Sequence, residues 1–379
     1  MIGVFKIYNS GERVYGLDIL RAIAILFVVL EHSIPYVKGA LPQGLKIPIF
    51  DGVSFFFVLS GFLIGGILLK TIDKNGASFK TLQNFWIRRW YRTLPAYFLV
   101  LIILILISIP SKKLVGISLI EYFLFVQNFN SPHPNFFVEA WSLSIEEWFY
   151  LITPSFIIFL MNVLKISARK IILFTALFFI LLITLIRIYK LNTIDIHSLL
   201  TWDSLIKKQV VTRLDSLMYG VLGAYVSYYF KDLWTRKKEL LFFMGISLIV
   251  FHKLSFTLMD QFKIGFDNLY HSVFSFHIIS LGTLLVLPFL SQLKSGTGTL
   301  YKFTTHISLV SYSMYLVNLS LIHYYLMPVV FSFIPVDDRI VGSLIQFFTY
   351  WGLNLMISTL MYKFFEVPVM NLRDRFARS

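Results

Sequence analysis

The sequence contains no cysteine and little charge: 14% of its 379 residues are charged, whereas 57% are hydrophobic. The absence of cysteine excludes disulfides, thiolate metal ligands, lipidated cysteines and any acyl-cysteine intermediate. A soluble globular protein has about 25% charged and about 45–50% apolar residues. The deficit of charge is too large for a water-facing surface, and the composition therefore predicts an integral membrane protein that crosses the bilayer several times.

The sequence also lacks a polar stretch long enough for a soluble domain. The longest connections between apolar runs, 70–91 and 189–212, hold fewer than 25 residues each. The first apolar run contains Arg21 and is too long for the apolar region of a cleavable signal, so we expect it to be retained. We predict a single membrane domain over 1–379, with no soluble domain and no appended one.

Ten apolar runs have about the length of a membrane-spanning helix. They fall at roughly 17–37, 50–69, 92–109, 141–161, 171–188, 213–230, 239–257, 270–290, 307–327 and 340–364. The stretch 115–129 is shorter and contains Glu121, which favours a re-entrant or interfacial segment. The predicted fold class is an all-α bundle of about ten transmembrane helices.

The net charge of +14 comes from 34 Lys and Arg against 20 Asp and Glu. Such an excess can indicate nucleic-acid binding, but in a membrane protein Lys and Arg collect in the cytoplasmic loops. With the N-terminus inside, the inside segments carry 21 of the 34 and the outside segments 12, and Arg21 lies within the first span. The distribution predicts that both termini are cytoplasmic and that the partner is the lipid bilayer rather than nucleic acid.

Two ionisable residues share one face of the first run. Arg21 and His32 are eleven residues apart, so on a helix they differ by roughly 20° in direction and by ~16 Å in height. Arg21 is then close to the cytoplasmic boundary, and His32 lies deep toward the outer half. Ionisable groups inside a span are costly and suggest function, although Arg21 could also snorkel to the interface and His32 could be a packing residue. Glu31 should face a different partner, because adjacent residues on a helix diverge.

Small residues mark the second run, where Ser60-Gly61 and Gly65-Gly66 occur within one helix length. Such residues let two helix backbones approach closely, which is the favoured interpretation. The alternative is a place where a narrow ligand approaches the backbone.

An arginine cluster, Arg88, Arg89 and Arg92, stands at the start of the third run. The cluster can be an ordinary cytoplasmic anchor. Arg88 and Arg92 are also four residues apart on one helix face, an arrangement suited to phosphate groups.

Two adjacent carboxylates, Glu146 and Glu147, open the fourth run. They could complement the dipole at a helix N-terminus, or one of them could orient a histidine or bind an acceptor hydroxyl. Weaker candidates lie at other span ends and in the ninth run: Arg213, Asp215, Ser311, Ser313, Asn318 and Glu366.

These residues lie within an ordered set of motifs that resembles the acyltransferase 3 family, integral membrane acyltransferases typified by bacterial O-antigen and exopolysaccharide O-acetylases. Seven matching motifs run in family order from residue 16 to 368: GLDILRAIAILFVVLEH, FFVLSGFLI, IRRWYRTLPAY, AWSLSIEEWFY, RLDSLMYGVLGA, SYSMYL and FFEVP. One position departs from the pattern, because Asn318 stands where the family commonly has a histidine.

The resemblance implies an enzyme of the inner (plasma) membrane that moves an acyl group, usually acetyl, from cytoplasmic acyl-CoA to a hydroxyl of a carbohydrate or lipid-linked glycan. We predict that four arginines hold the acyl-CoA phosphates: Arg21, Arg88, Arg89 and Arg92. His32 then acts as general base on the acceptor hydroxyl, with Glu146 or Glu147 to orient it. An acyl-histidine intermediate is the alternative, and no metal is expected.

Other function classes leave part of this pattern unexplained. A proton-coupled transporter could use His32 and Glu146 as a relay, but it predicts two related halves, and the sequence has no internal repeat. A sensor or scaffold predicts a soluble output domain or a long tail. A different membrane acyltransferase fold would not account for the block that contains Arg21 and His32.

Overall fold

The computed structural model describes residues 13–42, 45, 47–110, 114–333 and 338–376, with the side chains of 374–376 excepted. Within these ranges the chain is mainly helical and forms no strand. The helices are α1 (Tyr15–Val37), α2 (Gly52–Asn75), α3 (Phe79–Ser108), α4 (Leu119–Phe123), α5 (Ala140–Leu164), α6 (Ala168–Thr193), α7 (Leu199–Trp202), α8 (Leu214–Tyr229), α9 (Lys231–Arg236), α10 (Lys238–Gln261), α11 (Ser275–Leu290), α12 (Gly298–Val317), α13 (Met327–Ser332), α14 (Arg339–Met361) and α15 (Val367–Phe376).

Several long helices change their winding along their length. The segments Tyr270–Phe274, Asn318–Leu326 and Tyr362–Glu366 are π-helical and continue directly into or out of α-helices. A further π turn, Asp203–Lys207, follows α7. Because π turns are rare and often occur at functional sites, the segment after α12 is of special interest.

The ten predicted runs all coincide with helices, which confirms an all-helical bundle. Eight helical segments are long and apolar enough to cross a membrane: Gly52–Asn75, Phe79–Ser108, Ala140–Leu164, Ala168–Thr193, Lys238–Gln261, Tyr270–Leu290, Gly298–Ser332 and Arg339–Arg373. Helix α1 is not among the eight and carries Asp18, Arg21 and Glu31, and α8 has 16 residues. The count of ten spans and the sides of the termini stay predictions, and some charges used for them, Lys6 and Arg378 among others, lie outside the described residues.

The stretch 115–129 contains only the short helix α4, of 5 residues. A helix of that length rises by ~7.5 Å, far less than the ~30 Å of a bilayer core. This stretch therefore does not form a spanning helix, as the sequence predicted.

Helices α2 and α8 pack with their backbones in close contact. A Cβ atom added at Gly61 would lie 1.9 Å from the carbonyl oxygen of Leu217, and one added at Gly220 would lie 2.1 Å from that of Val58. No larger residue fits at either position unless the helices separate. The packing interpretation of Gly61 is thus confirmed, whereas a Cβ at Gly66 would meet no atom within 4 Å.

Helices α1 and α2 lie at the centre of the bundle. Buried apolar side chains of α1 pack with those of α3 and α12 in one cluster, and with those of α2 and α11 in another. A third cluster joins α2 to α5, α6 and α8. Outer helices turn large apolar side chains away from the bundle, as Phe243 of α10 does with 68% of its surface exposed. Such a surface fits contact with lipid.

A buried ion pair joins α6 to α8. Arg187 Nη2 lies 2.5 Å from Asp215 Oδ2, and both side chains are fully buried. Nε2 of His277 lies 3.0 Å from the same guanidinium, and its Nδ1 lies 3.0 Å from the hydroxyl of Tyr219. A buried charge is tolerated when it is paired and hydrogen-bonded, so we interpret this cluster as structural.

Candidate functional site

The first part of the site is a cavity of about 120 Å³ among α1, α2, α3, α5 and α12, here called the arginine cavity. Arg21 of α1, Arg89 and Arg92 of α3, and Glu146 of α5 line it. Much of the remaining wall consists of apolar side chains from α2. Three guanidinium groups around one cavity form a site for anionic groups such as phosphates.

Arg88 does not belong to this cavity. Its side chain is exposed, it is not one of the lining residues, and its backbone carbonyl accepts a hydrogen bond from Nη1 of Arg373 at 3.4 Å. The structure therefore brings together three of the four predicted arginines and leaves Arg88 outside.

A carboxylate that the sequence analysis did not select holds Arg21 in place. Asp18, one turn earlier on α1, lies 3.7 Å from Nη1 of Arg21 and accepts a 2.9 Å hydrogen bond from Nε of Arg13. The hydroxyl of Ser308 donates to Asp18 at 2.7 Å. The spacing of Asp18 and Arg21, three residues apart on one helix, was the available signal.

Glu146 is fixed within the arginine cavity by a short chain of hydroxyl groups. The phenol of Tyr150 donates to Oε2 of Glu146 at 2.7 Å, and Ser60 of α2 lies 2.9 Å from the same phenol oxygen. The carboxylate thus provides negative charge beside three arginines. It does not hydrogen-bond His32, so the predicted orienting contact is not made by this residue.

Glu147 points to a different neighbour. Its Oε1 accepts a 2.7 Å hydrogen bond from the hydroxyl of Thr93 on α3, and it is not among the residues that line the arginine cavity. Its Oε2 is buried, with no hydrogen-bond partner in the described part of the chain. Glu147 therefore links α5 to α3 and is not a hydrogen-bond partner of His32.

The second part of the site is a cavity of about 320 Å³ at the opposite end of α1, here called the histidine cavity. His32 and Glu31 of α1 line it, together with Asp51, Glu139 and the turn that contains Lys207. Its lining contains both charged and apolar side chains, so a polar but uncharged ligand would find hydrogen-bond partners there.

Among the described residues the side chain of His32 has one hydrogen-bond partner, Asn318, which lies behind the cavity wall and is not itself a lining residue. Nδ1 of His32 lies 2.5 Å from Oδ1 of Asn318, the first residue of the π turn after α12. The amide nitrogen of Asn318 donates to the carbonyls of Met314 at 3.0 Å and Tyr315 at 2.7 Å. The histidine is therefore oriented by an amide, whereas the sequence analysis had proposed a carboxylate.

Glu139 is a further carboxylate of the histidine cavity, and the sequence analysis missed it. The residue directly precedes α5 and is 2% exposed. Its Oε1 accepts from the backbone nitrogen of Ser320 at 3.0 Å, and its Oε2 accepts from the Ser320 hydroxyl. Burial raises the pKa of Glu139 to about 7. A glutamate directly before an apolar run was the only sequence signal.

Opposite charges balance one another at the mouth of the histidine cavity. Burial acts to raise the pKa of Asp51, but the positive charges of Lys207 and Arg213 outweigh it and hold that pKa below its ordinary value. Burial acts to lower the pKa of Lys207, and the charges of Asp51 and Asp203 raise it above its ordinary value. Lys207, at 3.8 Å, and Lys208 both form ion pairs with the carboxylate of Asp203.

The two cavities are neighbours, because Val53 and Tyr315 form part of the wall of both. Tyr315 is held by hydrogen bonds to the hydroxyl of Ser142 at 2.6 Å and to the carbonyl of Glu139 at 3.2 Å. Val53 and Tyr315 are therefore the residues that stand between the two cavities.

The weaker candidates of the ninth run also have defined places. Ser311 lines the arginine cavity, and Ser313 donates a hydrogen bond to the buried carboxylate of Glu366. Arg213, which precedes α8, donates to Ser54 at 2.9 Å and lies over the ring of Phe276. Ser311 and Asn318 thus reach the site, whereas Ser313 with Glu366, and Arg213, make contacts between helices.

Comparison with known proteins gives the same family as the motifs. A family model described as an acyltransferase domain, that of the acyltransferase 3 family, matches residues 14–363. A protein of Staphylococcus aureus (strain COL) with a provisional O-acetyltransferase name is 28% identical over an alignment of 387 positions, which covers 96% of this chain and 58% of that protein. The O-acetyltransferase OatA of S. aureus (strain NCTC 8325) is 28% identical over an alignment of 394 positions, which covers 96% of this chain and 59% of the relative. The peptidoglycan O-acetyltransferase OatA of Listeria monocytogenes is 33% identical over an alignment of 174 positions, which covers 41% of this chain and 26% of the relative.

These relatives are longer proteins, and the chain spans about three fifths of the length of the two from S. aureus. No solved structure matches the chain. The family match extends from α1 into the π turn after α14, and so includes seven of the eight segments long enough to cross a membrane and most of the eighth, Arg339–Arg373. The chain belongs to the acyltransferase 3 family and is a multi-pass membrane protein.

Proposed function

We propose that the chain is an O-acetyltransferase of the inner (plasma) membrane, which moves acetyl from cytoplasmic acetyl-CoA to a hydroxyl of a carbohydrate or lipid-linked glycan. The observation that carries this proposal is that the arginine cavity and the histidine cavity lie side by side and share Val53 and Tyr315 in their walls. Acyl transfer from a phosphate-bearing donor to a hydroxyl acceptor needs two binding spaces that lie next to each other. The peptidoglycan O-acetyltransferase name of the Listeria relative supports a cell-wall glycan as the acceptor.

On the donor side, we propose that Arg21, Arg89 and Arg92 hold the phosphates of acetyl-CoA through charge-assisted hydrogen bonds. The pantetheine arm then extends along the apolar wall toward Val53. His32 lies eleven residues beyond Arg21 on α1, a rise of ~16 Å along the helix. The arm covers this distance and brings the thioester to His32 beside the wall that the two cavities share.

On the acceptor side, His32 is the proposed general base. As the acceptor oxygen attacks the thioester carbonyl, its proton passes to Nε2 of His32. The new carbon–oxygen bond forms, the carbon–sulfur bond breaks, and the CoA thiolate leaves and takes up a proton that the imidazolium returns. An acyl-histidine intermediate remains the alternative route.

For the carboxylates we propose supporting roles on the donor side. Glu146 balances the arginines when the donor is absent, and Glu147 holds α3 against α5 through Thr93. The transporter alternative would need a proton path between His32 and Glu146. Those residues line different cavities and bond to Asn318 and Tyr150 respectively, which favours the acyltransferase.

We further propose that residues 1–379 form one membrane domain with ten spans and both termini cytoplasmic. The absence of cysteine makes single-cysteine labelling unambiguous. With an impermeant thiol reagent on intact cells, Arg236→Cys should stay unlabelled and Lys263→Cys should be labelled. The reverse pattern would overturn the topology.

The activity is tested with purified protein, [¹⁴C]acetyl-CoA and a cell-wall glycan preparation. We expect label in the glycan and release of CoA, and we expect His32→Gln to lower kcat by about 10²–10⁴ with an unchanged KM for acetyl-CoA. The matched control is His306→Gln, a half-buried histidine of α12 that contacts Thr359 at 3.1 Å. Full turnover per folded molecule in His32→Gln would end the proposed mechanism.

A further inference from the structure

The orientation of the Asn318 side chain is determined by its own helix. Both of its amide contacts within α12, to Met314 and Tyr315, are to backbone carbonyl oxygens. Carbonyl oxygens only accept hydrogen bonds, so the atom that faces them must be the NH₂ nitrogen. The reversed amide would place an oxygen against two oxygens, and Oδ1 is therefore the atom that faces His32.

This orientation decides which nitrogen of His32 carries the hydrogen. An amide oxygen has no hydrogen to donate, so Nδ1, at 2.5 Å from Oδ1 of Asn318, must be the donor. In a neutral imidazole one nitrogen donates and the other accepts, so Nε2 carries the lone pair. None of the described residues hydrogen-bonds Nε2, which leaves that nitrogen available to a ligand in the histidine cavity.

We propose that Asn318 is a positioning residue, which holds neutral His32 in the Nδ1–H tautomer and so presents Nε2 as the base for the acceptor hydroxyl. This inference rests on the function proposed above. Orientation of a reactive imidazole by a partner on its second nitrogen is a general device. Here an amide supplies it without placing another charge inside a span, where charge is costly.

The π turn that begins at Asn318 contacts two ionisable residues that line the histidine cavity. Its first residue binds His32, and Ser320, two residues later, binds Glu139 through its backbone nitrogen and its hydroxyl. One short segment thus supplies the hydrogen-bond partners of both His32 and Glu139, at a π turn of the kind that often occurs at functional sites.

The test compares Asn318→Leu with Asn354→Leu. Asn354 is also fully buried, on α14, and its side-chain amide has no hydrogen-bond partner among the described residues. We expect Asn318→Leu to lower kcat by about 10- to 100-fold with an unchanged KM for acetyl-CoA, whereas Asn354→Leu retains turnover. If leucine does not fit, Asn318→Ser is the substitute, because the serine hydroxyl is too short to reach Nδ1. It should likewise lower kcat and leave the KM for acetyl-CoA unchanged.

A spectroscopic readout separates positioning from a merely structural role. In protein labelled with [¹⁵N]histidine, the signals of His32 are those absent from His32→Gln. We expect the Nδ1–H tautomer in the unchanged protein at a pH where the ring is neutral, and a gain of the Nε2–H tautomer in Asn318→Leu. The inference fails if kcat is unchanged, or if kcat falls while the tautomer does not change. An inactive His32→Gln with an active Asn318→Leu would overturn this inference alone, whereas an active His32→Gln would overturn the proposed function.

Discussion

Tyr150 donates its phenol hydrogen to Oε2 of Glu146 across 2.7 Å, one turn apart on α5. The contact holds the carboxylate in the arginine cavity, beside Arg21, Arg89 and Arg92. If the arginine cavity binds the phosphates of the donor, as proposed, Glu146 lies in the same cavity, and its charge has the same sign as theirs.

This arrangement predicts that Glu146→Gln stabilises the donor complex relative to the free protein. We expect a lower thermal midpoint without ligand, because the arginines lose their counter-charge, and roughly tenfold tighter binding of CoA, because a like charge is removed. Thermal unfolding over a CoA titration measures both effects. Glu147→Gln is the matched control, since that residue bonds Thr93; an equal effect in both variants would contradict the assignment.

The cavity geometry also ranks the arginines of α3. We expect Arg89→Ala and Arg92→Ala each to raise the KM for acetyl-CoA by roughly tenfold or more, through loss of a charge-assisted hydrogen bond of ~1.5–3 kcal/mol. Arg88→Ala serves as the control and should change KM by far less, because its side chain is exposed outside the cavity. Equal effects on KM in all three variants would instead favour phosphate binding by Arg88 and Arg92 together.

The preference for acyl chains of a given length should depend on the wall that the two cavities share. We expect Val53→Ala to widen the space at this wall and raise transfer of butyryl relative to acetyl by about tenfold, since one or two methylene groups carry discrimination of that order. The measurement is a competition between acetyl-CoA and butyryl-CoA. Leu63→Ala is the control, because Leu63 lines only the arginine cavity. An equal change in both variants would place the limit on chain length elsewhere.

Glu139 should make stability depend on pH. Its carboxyl has an ordinary pKa of 4.5, raised to about 7 in the folded protein. The folded protein thus holds the proton more tightly, and the resulting stability is fully present below about pH 4.5 and is lost as the pH rises through about 7. Glu139→Gln keeps an oxygen for Ser320 and cannot ionise. As the pH is raised from about 4.5 to about 7, we expect the thermal midpoint of Glu139→Gln to fall less than that of the unchanged protein. The control is Glu239→Gln, at a residue with 65% of its side chain exposed, which should leave the pH dependence of the thermal midpoint unaltered. The prediction is wrong if Glu139→Gln shows the same pH dependence as the unchanged protein.

The sequence located the helices well because each helix depends on local properties. A run of apolar residues in lipid must satisfy its backbone hydrogen bonds within itself, so length and hydropathy suffice to place it. The same local reasoning placed Arg21 and His32 on one helix. It also selected Arg89 and Arg92, although it could not separate them from Arg88, because residues one turn apart on a helix do not reveal how the helix is rotated.

Other residues of the site were missed or given different partners. Glu139 and Asp18 attracted no attention, because a carboxylate at the start of a helix is common. Arg187 was not selected at all, yet it is buried against Asp215. Nothing local distinguishes a paired buried arginine from a solvated one near the end of a span.

The sequence by itself thus determined the family, the all-helical membrane class and the helix that carries His32. Only the tertiary structure decided what His32 touches: its partner, Asn318, lies 286 residues away. Likewise, Glu139 meets Ser320 across 181 residues. Contacts of this kind depend on how α1, α5 and α12 are rotated and packed, and on the π turn that redirects the chain at Asn318. A local pattern of residues does not encode these features, because packing energy is shared among all the helices of the bundle.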